Sequence, residues 1–259
     1  MRGKEYVTRT AAAGRHHFAT RDLVEAQGGS AIAARAMLRR LRDKGEIATP
    51  CRGFHVIVPP EYRSLACLPP EQFVPQLMGH LGLHYYVALL SAARYYGAAH
   101  QQPQVFQVIV EVNRPSISCG RVLVDFFARR NAGVVPTLDR HTPRGYVRVS
   151  SPETTAFDLV GYMMHSGGLD NVATALRELA QELDPERLVA AAPLSPVAWA
   201  QRLGYLLDLV GAGTRVGPLH KFVRQQAREY RPLVPGLLES GGSRSTEWRL
   251  MLNVQVEED

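Results

Sequence analysis

The chain has 259 residues, of which 46% are hydrophobic, and carries a formal net charge of +6 with a pI near 9.4. It is long enough for one large domain, or for a small one ahead of a larger one. The opening Met1-Arg2-Gly3-Lys4-Glu5 is too charged to begin a secretory signal, and the most apolar stretch, residues 85–99, is shorter than a membrane span and broken by Arg94. A soluble cytoplasmic protein is therefore expected, not an exported or membrane-spanning one.

The charge is unevenly placed. Residues 1–63 hold 12 Lys and Arg against 6 Asp and Glu, whereas the remaining 196 residues hold 18 of each sign. Arginine is favoured almost everywhere over lysine, as GC-rich coding alone would produce, so the informative fact is where the excess sits. A compact cationic segment points to a polyanion, with nucleic acid first among candidates.

In that segment Thr20-Arg21-Asp22-Leu23-Val24-Glu25-Ala26 reads as a short helix with Thr20 as cap, closed by Gly28-Gly29. Ser30 is placed to cap a second helix over 31–44, which Gly45 stops. At 100° per residue Ala34, Met37, Leu38 and Leu41 share one face, and Arg35, Arg39 and Arg42 fall opposite. A helix that enters the major groove needs this division, because arginine can bond guanine bidentately or clamp phosphates while the apolar face holds the scaffold. Residues 46–49 and 54–58 then read as two strands joined by Pro50-Cys51-Arg52-Gly53, a wing with Arg52 at its tip. A further helix around 9–15 completes the three-helix core. The expected DNA-facing set is Thr20, Arg21, Ser30, Arg35, Arg39, Arg40, Arg42, Lys44 and Arg52.

The fold expected is α+β, a winged helix-turn-helix over 1–63 followed by a larger mixed domain over 64–259. In the latter, helices are predicted over 71–81 and 86–96, and strands over 105–112, 121–128 and 145–149. Ser151-Pro152-Glu153 opens a helix, with Ser151 as cap and Pro152 in the first turn. Further helices are predicted over 169–183, 185–192, 196–210 and 218–226. Tyr85, Tyr86, Tyr95 and Tyr96 fall at helical spacing and are assigned to packing.

Chemistry is sparse in this half, and no catalytic, metal-binding or cofactor-binding residues are assigned. Gly242-Ser243 is followed by Arg244-Ser245-Thr246 and not by paired carboxylates, and Asp125 stands alone, against a nucleotidyltransferase. Lys221, the last lysine, has no acid within five positions, against an acid-acid-Lys nuclease. There is no Gly-x-Ser-x-Gly elbow, and Gly167-Gly168 and Gly241-Gly242 lack a phosphate-loop lysine. Glu153 and Asp158 diverge by about 140° on a helix, which suits structural roles. His16-His17 are adjacent and diverge, His80, His84, His100, His141, His165 and His220 are scattered, and Cys51, Cys67 and Cys119 have no zinc or redox spacing.

Several segments together resemble the AbiEi-type antitoxins of type IV toxin–antitoxin pairs. They are Tyr86-Val87-Ala88-Leu89-Leu90-Ser91-Ala92-Ala93 with Tyr96-Gly97, then Val149-Ser150-Ser151-Pro152-Glu153-Thr154-Thr155-Ala156-Phe157-Asp158-Leu159. Gln201-Arg202-Leu203-Gly204-Tyr205-Leu206-Leu207 and Trp248-Arg249-Leu250 with Asn253 complete the ordered set. The resemblance implies a protein without catalytic residues that represses its own operon on double-stranded operator DNA, with inverted repeats expected, and counteracts a nucleotidyltransferase-like toxin. It does not require that the two proteins touch. By position it places the DNA-facing helix on 30–44 and the wing tip on Arg52. Two other readings stay open: a stand-alone transcriptional regulator with a ligand-sensing C-terminal domain, and an enzyme targeted to nucleic acid by its N-terminal domain.

Overall fold

The computed structural model describes residues 3–28, 30–99, 104–237 and 243–254; Gly29, His100 and the Gly241-Gly242 pair lie outside them. The chain is α+β, with a segment of helices and a small sheet ahead of a larger α+β part. It divides into two compact units. The first takes residues 1–85, 104–130 and 139–148, and the second takes 86–103, 131–138 and 149–259.

The first unit opens with α1 (Gly3–Ala12), β1 (His17–Ala19), α2 (Thr20–Gln27) and α3 (Ala31–Asp43). The helix expected around 9–15 lies earlier, because Tyr6, Val7 and Thr10 supply its buried face and Gly14, at φ 73°, ends it. β2 (Ile47–Cys51) and β3 (Phe54–Ile57) form the hairpin, and β1, unread in the sequence, adds a third strand in the order β1-β3-β2. β2 runs through Pro50 and Cys51, which the sequence assigns to the turn. Pro50 is tolerated because β2 is an edge strand whose pairing with β3 shifts between Ala48 and Cys51. Tyr6, Phe18, Leu23, Ala34, Leu38, Leu41, Ile47 and Ile57 close the core of this segment.

Beyond β3, 3₁₀ turns at Pro60–Tyr62 and Pro70–Gln72 precede α4 (Val74–Leu81). The helix predicted from 71 starts later because Pro75, lacking an N–H, fits only a first turn. β4 (Tyr85–Val87) replaces the start of the helix predicted over 86–96, leaving α5 (Leu89–Ala93) and a 3₁₀ turn at Arg94–Tyr96. Ala88 is extended and Leu89 takes φ 54°, a left-handed step that breaks the helical phase and that residue type does not announce. Tyr85 and Tyr86 therefore lie on a strand, not on the helix shared with Tyr95 and Tyr96.

β5 (Phe106–Val110), β6 (Ile117–Cys119), β7 (Val122–Ala128), β8 (Thr137–Thr142) and β9 (Gly145–Ser150) follow. Within the first unit β5 pairs parallel and β6 antiparallel with β7. β6 has only three residues, and β8 buries none of its side chains, so neither leaves an apolar pattern in the sequence. One core joins Ala48, Phe54 and Val56 of the hairpin to Phe73, Leu77 and Met78 and to Val108, Val110 and Val124 of these strands. The compact division and the charge boundary after Arg63 are thus different cuts. Cys67 and Cys119 meet in this core through a thiol–thiol hydrogen bond, and both are free.

The second unit is built on α6 (Pro152–Gly161), α7 (Gly168–Leu179), α8 (Pro185–Ala191), α9 (Val197–Leu209) and α10 (Gly217–Gln226), each within a few residues of its predicted span. Ser151 caps α6 by accepting from the Thr154 N–H at 3.2 Å, and Pro152 occupies the first turn. Glu153 is buried and its Oε1 accepts from the Asp184 N–H at 3.2 Å, tying α6 to the cap of α8. Short strands β10 (Arg231–Pro232), β11 (Arg244–Ser245) and β12 (Leu250–Met251) form a small sheet in the order β10-β12-β11.

α9 holds that sheet. The Gln201 amide donates to the carbonyls of Glu229, Trp248 and Arg249 at 3.1, 3.2 and 2.8 Å, and Arg202 Nε donates to Pro232 O at 3.1 Å. Gly204 leaves room for the Trp248 ring, whose Nε1 donates to Asp208 Oδ2 at 2.6 Å; a Cβ at 204 would stand 2.0 Å from the ring. Asn253 exchanges hydrogen bonds with the Val234 backbone at 3.1 and 2.9 Å. The C-terminal motifs of the sequence are therefore a clasp.

Candidate nucleic-acid interface

α3 is fixed by one cap and one apolar stripe. Ser30 Oγ accepts from the Ala33 N–H at 3.2 Å, and Ala34, Leu38 and Leu41 are buried with Met37 half-buried. Gln27 Nε2 donates to Met37 Sδ at 2.7 Å, linking α2 to α3. Replacing Ser30 with alanine should cost about 1 kcal/mol of stability, read as a lower urea midpoint with unchanged slope.

Opposite the stripe, Arg35, Arg39, Arg40, Arg42 and Lys44 are exposed. Among the described residues Arg39 pairs with one acid, Asp43 at 3.9 Å on the same helix, with the two side chains 78% and 60% exposed. An open pair of this kind contributes only a few tenths of a kcal/mol and leaves the guanidinium available. Arg40 Nε donates to Ala36 O at 3.3 Å. Ile32, in the first turn of α3, is 77% exposed. Its exposure, not its position in the pattern, marks it, so the sequence gives no hint.

The other expected contacts gather at the start of α2. The Thr20 N–H donates to Gly53 O at 2.9 Å, which brings the hairpin tip, with exposed Arg52, to Thr20 and exposed Arg21. Thr20 is not the cap. Ala19 holds that position, and its N–H donates to Asp22 Oδ2 at 2.8 Å.

The Thr20 hydroxyl instead bonds His55, a residue absent from the sequence reading. His55 is 5% exposed, with Nε2 2.9 Å from Thr20 Oγ1, Nδ1 3.0 Å from Thr49 Oγ1, and the Phe18 ring at 5.3 Å. It joins the start of α2, both hairpin strands and, electrostatically, Arg42. Burial, then Arg42, then His80 push its pKa down to about 4. The folded state refuses a proton that the unfolded chain accepts near 6.5, so this contribution is complete above pH 6.5 and lost as the pH falls towards 4. About 3 kcal/mol should disappear across that window. Urea unfolding from pH 7 to pH 4 reads it, and His55→Gln should flatten that part of the profile.

The His17 ring stacks on Phe54 at 5.7 Å, and burial lowers the pKa of both His16 and His17. Among the described residues no group of three or more His, Cys, Asp or Glu is arranged to hold a metal, and no helix is long and apolar enough to cross a membrane.

The C-terminal resemblance is matched by an independent comparison. Residues 86–209 fit the family model of the AbiEi antitoxin C-terminal domain. The chain is AbiEi-like over that stretch, which takes in the Tyr86–Gly97 segment, the Ser151-capped start of α6 and the Gln201-Arg202-Leu203-Gly204 turn of α9. The match is to a domain of an antitoxin family and spans just under half of the chain. No curated protein matches the chain. A crystal structure of the RV2827C protein from Mycobacterium tuberculosis is similar in fold, with a TM-score of 0.67 at 19% identity, covering 95% of this chain and 89% of that one.

Proposed function

We propose that the chain is the antitoxin of a type IV toxin–antitoxin pair, a non-catalytic protein that represses its own operon and counteracts a nucleotidyltransferase-like toxin. The observation that carries the DNA-binding part is the solvent-open arginine face of α3, backed by a buried stripe and, among the described residues, closed by no acidic partner beyond exposed Asp43. In this reading the helix–strand–helix–helix–hairpin segment acts as a winged helix-turn-helix. Arg35, Arg39 and Arg42 meet base edges or phosphates of the major groove, with Arg40 and Lys44 at its margin. Ile32 offers an apolar contact to a thymine methyl, and Arg21 and Arg52 grip backbone beside it. Ser30 sets the start of the helix, and Thr20 acts from behind through His55.

The AbiEi-like stretch supports the antitoxin part. Two measurements test the whole. A reporter driven by the chain's own upstream region should be silenced when the chain is supplied in trans. Growth arrest by a neighbouring nucleotidyltransferase-like frame should be relieved by the full chain. A reporter that stays active would remove the autorepressor, and unrelieved arrest would remove the antitoxin.

A further inference from the structure

In the second unit a cleft of about 580 Å³ opens between the start of α9 and the segment that follows α10. Among the described residues that line it are Arg202, Arg228 and Arg231 with one acid, Glu229, while Pro196, Val197 and Pro235 give it an apolar side. Arg202 is 7% exposed, a depth at which a guanidinium normally has a carboxylate partner. Among the described residues it has none: its Nε serves the Pro232 carbonyl, and the charge that acts on it is another cation, Arg231. Burial and Arg231 both lower its pKa, the mark of a positive charge lacking its counter-ion. Glu229 is already engaged by Arg231 at 2.8 Å, in a pair whose side chains are 54% and 67% exposed. Among its described residues the cleft thus holds three guanidiniums against one committed carboxylate.

We propose that this cleft binds a small phosphorylated molecule of nucleotide size, with its phosphate against Arg202 and Arg231. Tetrahedral oxyanions of charge near −2 suit several guanidinium groups lining one cleft better than a single carboxylate does. The space exceeds that of phosphate alone, and the proline-lined side fits the organic part of the ligand. Gln201, whose Nε2 is shared among three carbonyls, anchors the wall.

Calorimetry and thermal melting of the full chain test this with inorganic phosphate, adenosine monophosphate, adenosine and acetate at matched ionic strength. Expected are saturable phosphate binding, adenosine monophosphate about tenfold tighter, and no effect of adenosine or acetate. Arg228→Gln and Arg231→Gln, both at exposed positions, should keep the unliganded melting temperature and weaken phosphate binding at least about fivefold. Arg202→Lys, which keeps the charge and loses the fork, should weaken it too. The proposal falls if phosphate stabilises no more than acetate, if the glutamine variants bind as the parent does, or if the nucleotide binds no tighter than phosphate. It also falls if polyglutamate binds at the cleft and phosphate does not, since that would mark a protein-binding face.

Discussion

Alanine at both Arg35 and Arg39 should reduce operator affinity by at least about thirtyfold while the protein stays folded. Each good arginine contact to a base contributes about 1–3 kcal/mol of discrimination, so two such contacts together reach a thousandfold or more. Where the contacts are to phosphate, the loss is shared by all sequences and the salt dependence becomes shallower by about one unit per arginine removed. Stability should hardly move, because both side chains are exposed, the Arg39–Asp43 pair is weak, and alanine is a better helix former than arginine. Gel shifts at two salt concentrations, with a circular dichroism melt of the same sample, give the answer. Arg187→Ala, an exposed change in the second unit, serves as the neutral control. A folded double variant that binds as tightly as the parent would eliminate α3 as the reading helix.

The largest stability effect is expected at Trp248 and Gly204. Trp248 is 1% exposed, lies against Gly204, meets the His220 ring at 5.2 Å and donates to Asp208. Trp248→Ala should cost about 3–5 kcal/mol, or roughly 10 °C in melting temperature for a chain of this size. Gly204→Ala gives a sharper test because two effects oppose each other. In an open helix interior the change would stabilise by about 1 kcal/mol, whereas here the new methyl group meets the indole and should destabilise by about 1–3 kcal/mol. A thermal melt that rises on Gly204→Ala would show that the ring does not pack on this glycine.

What could be read from the sequence was what neighbours in sequence decide. Ser30 and Ser151 sit immediately before the helices they cap, and the stripe of α3 recurs at helical spacing, so both helices and the arginine face were legible. The opening of α2 was less so, because Asp22, not Thr20, takes the free N–H of Ala19. Tyr86 and Val87 continue a helical pattern that Leu89 breaks with a left-handed backbone no propensity scale anticipates. His55 gains its role from Thr20, thirty-five positions away, and Arg202 from Pro232, thirty positions away. Contacts at that range leave no periodic signal. The same holds for Cys67 and Cys119, 52 positions apart, which the fold brings together as free thiols in one core.

The apolar face shared by the hairpin and the strands β5–β7 also bears on how the head of this protein can be handled. Cut after Arg63, the fragment would present Phe54, Val56 and Val58 to water, a sticky surface on a small polypeptide. Grafting residues 1–63 onto a foreign protein therefore calls for carrying along the later segments that shield them, and a chimera joined at the charge boundary should precipitate.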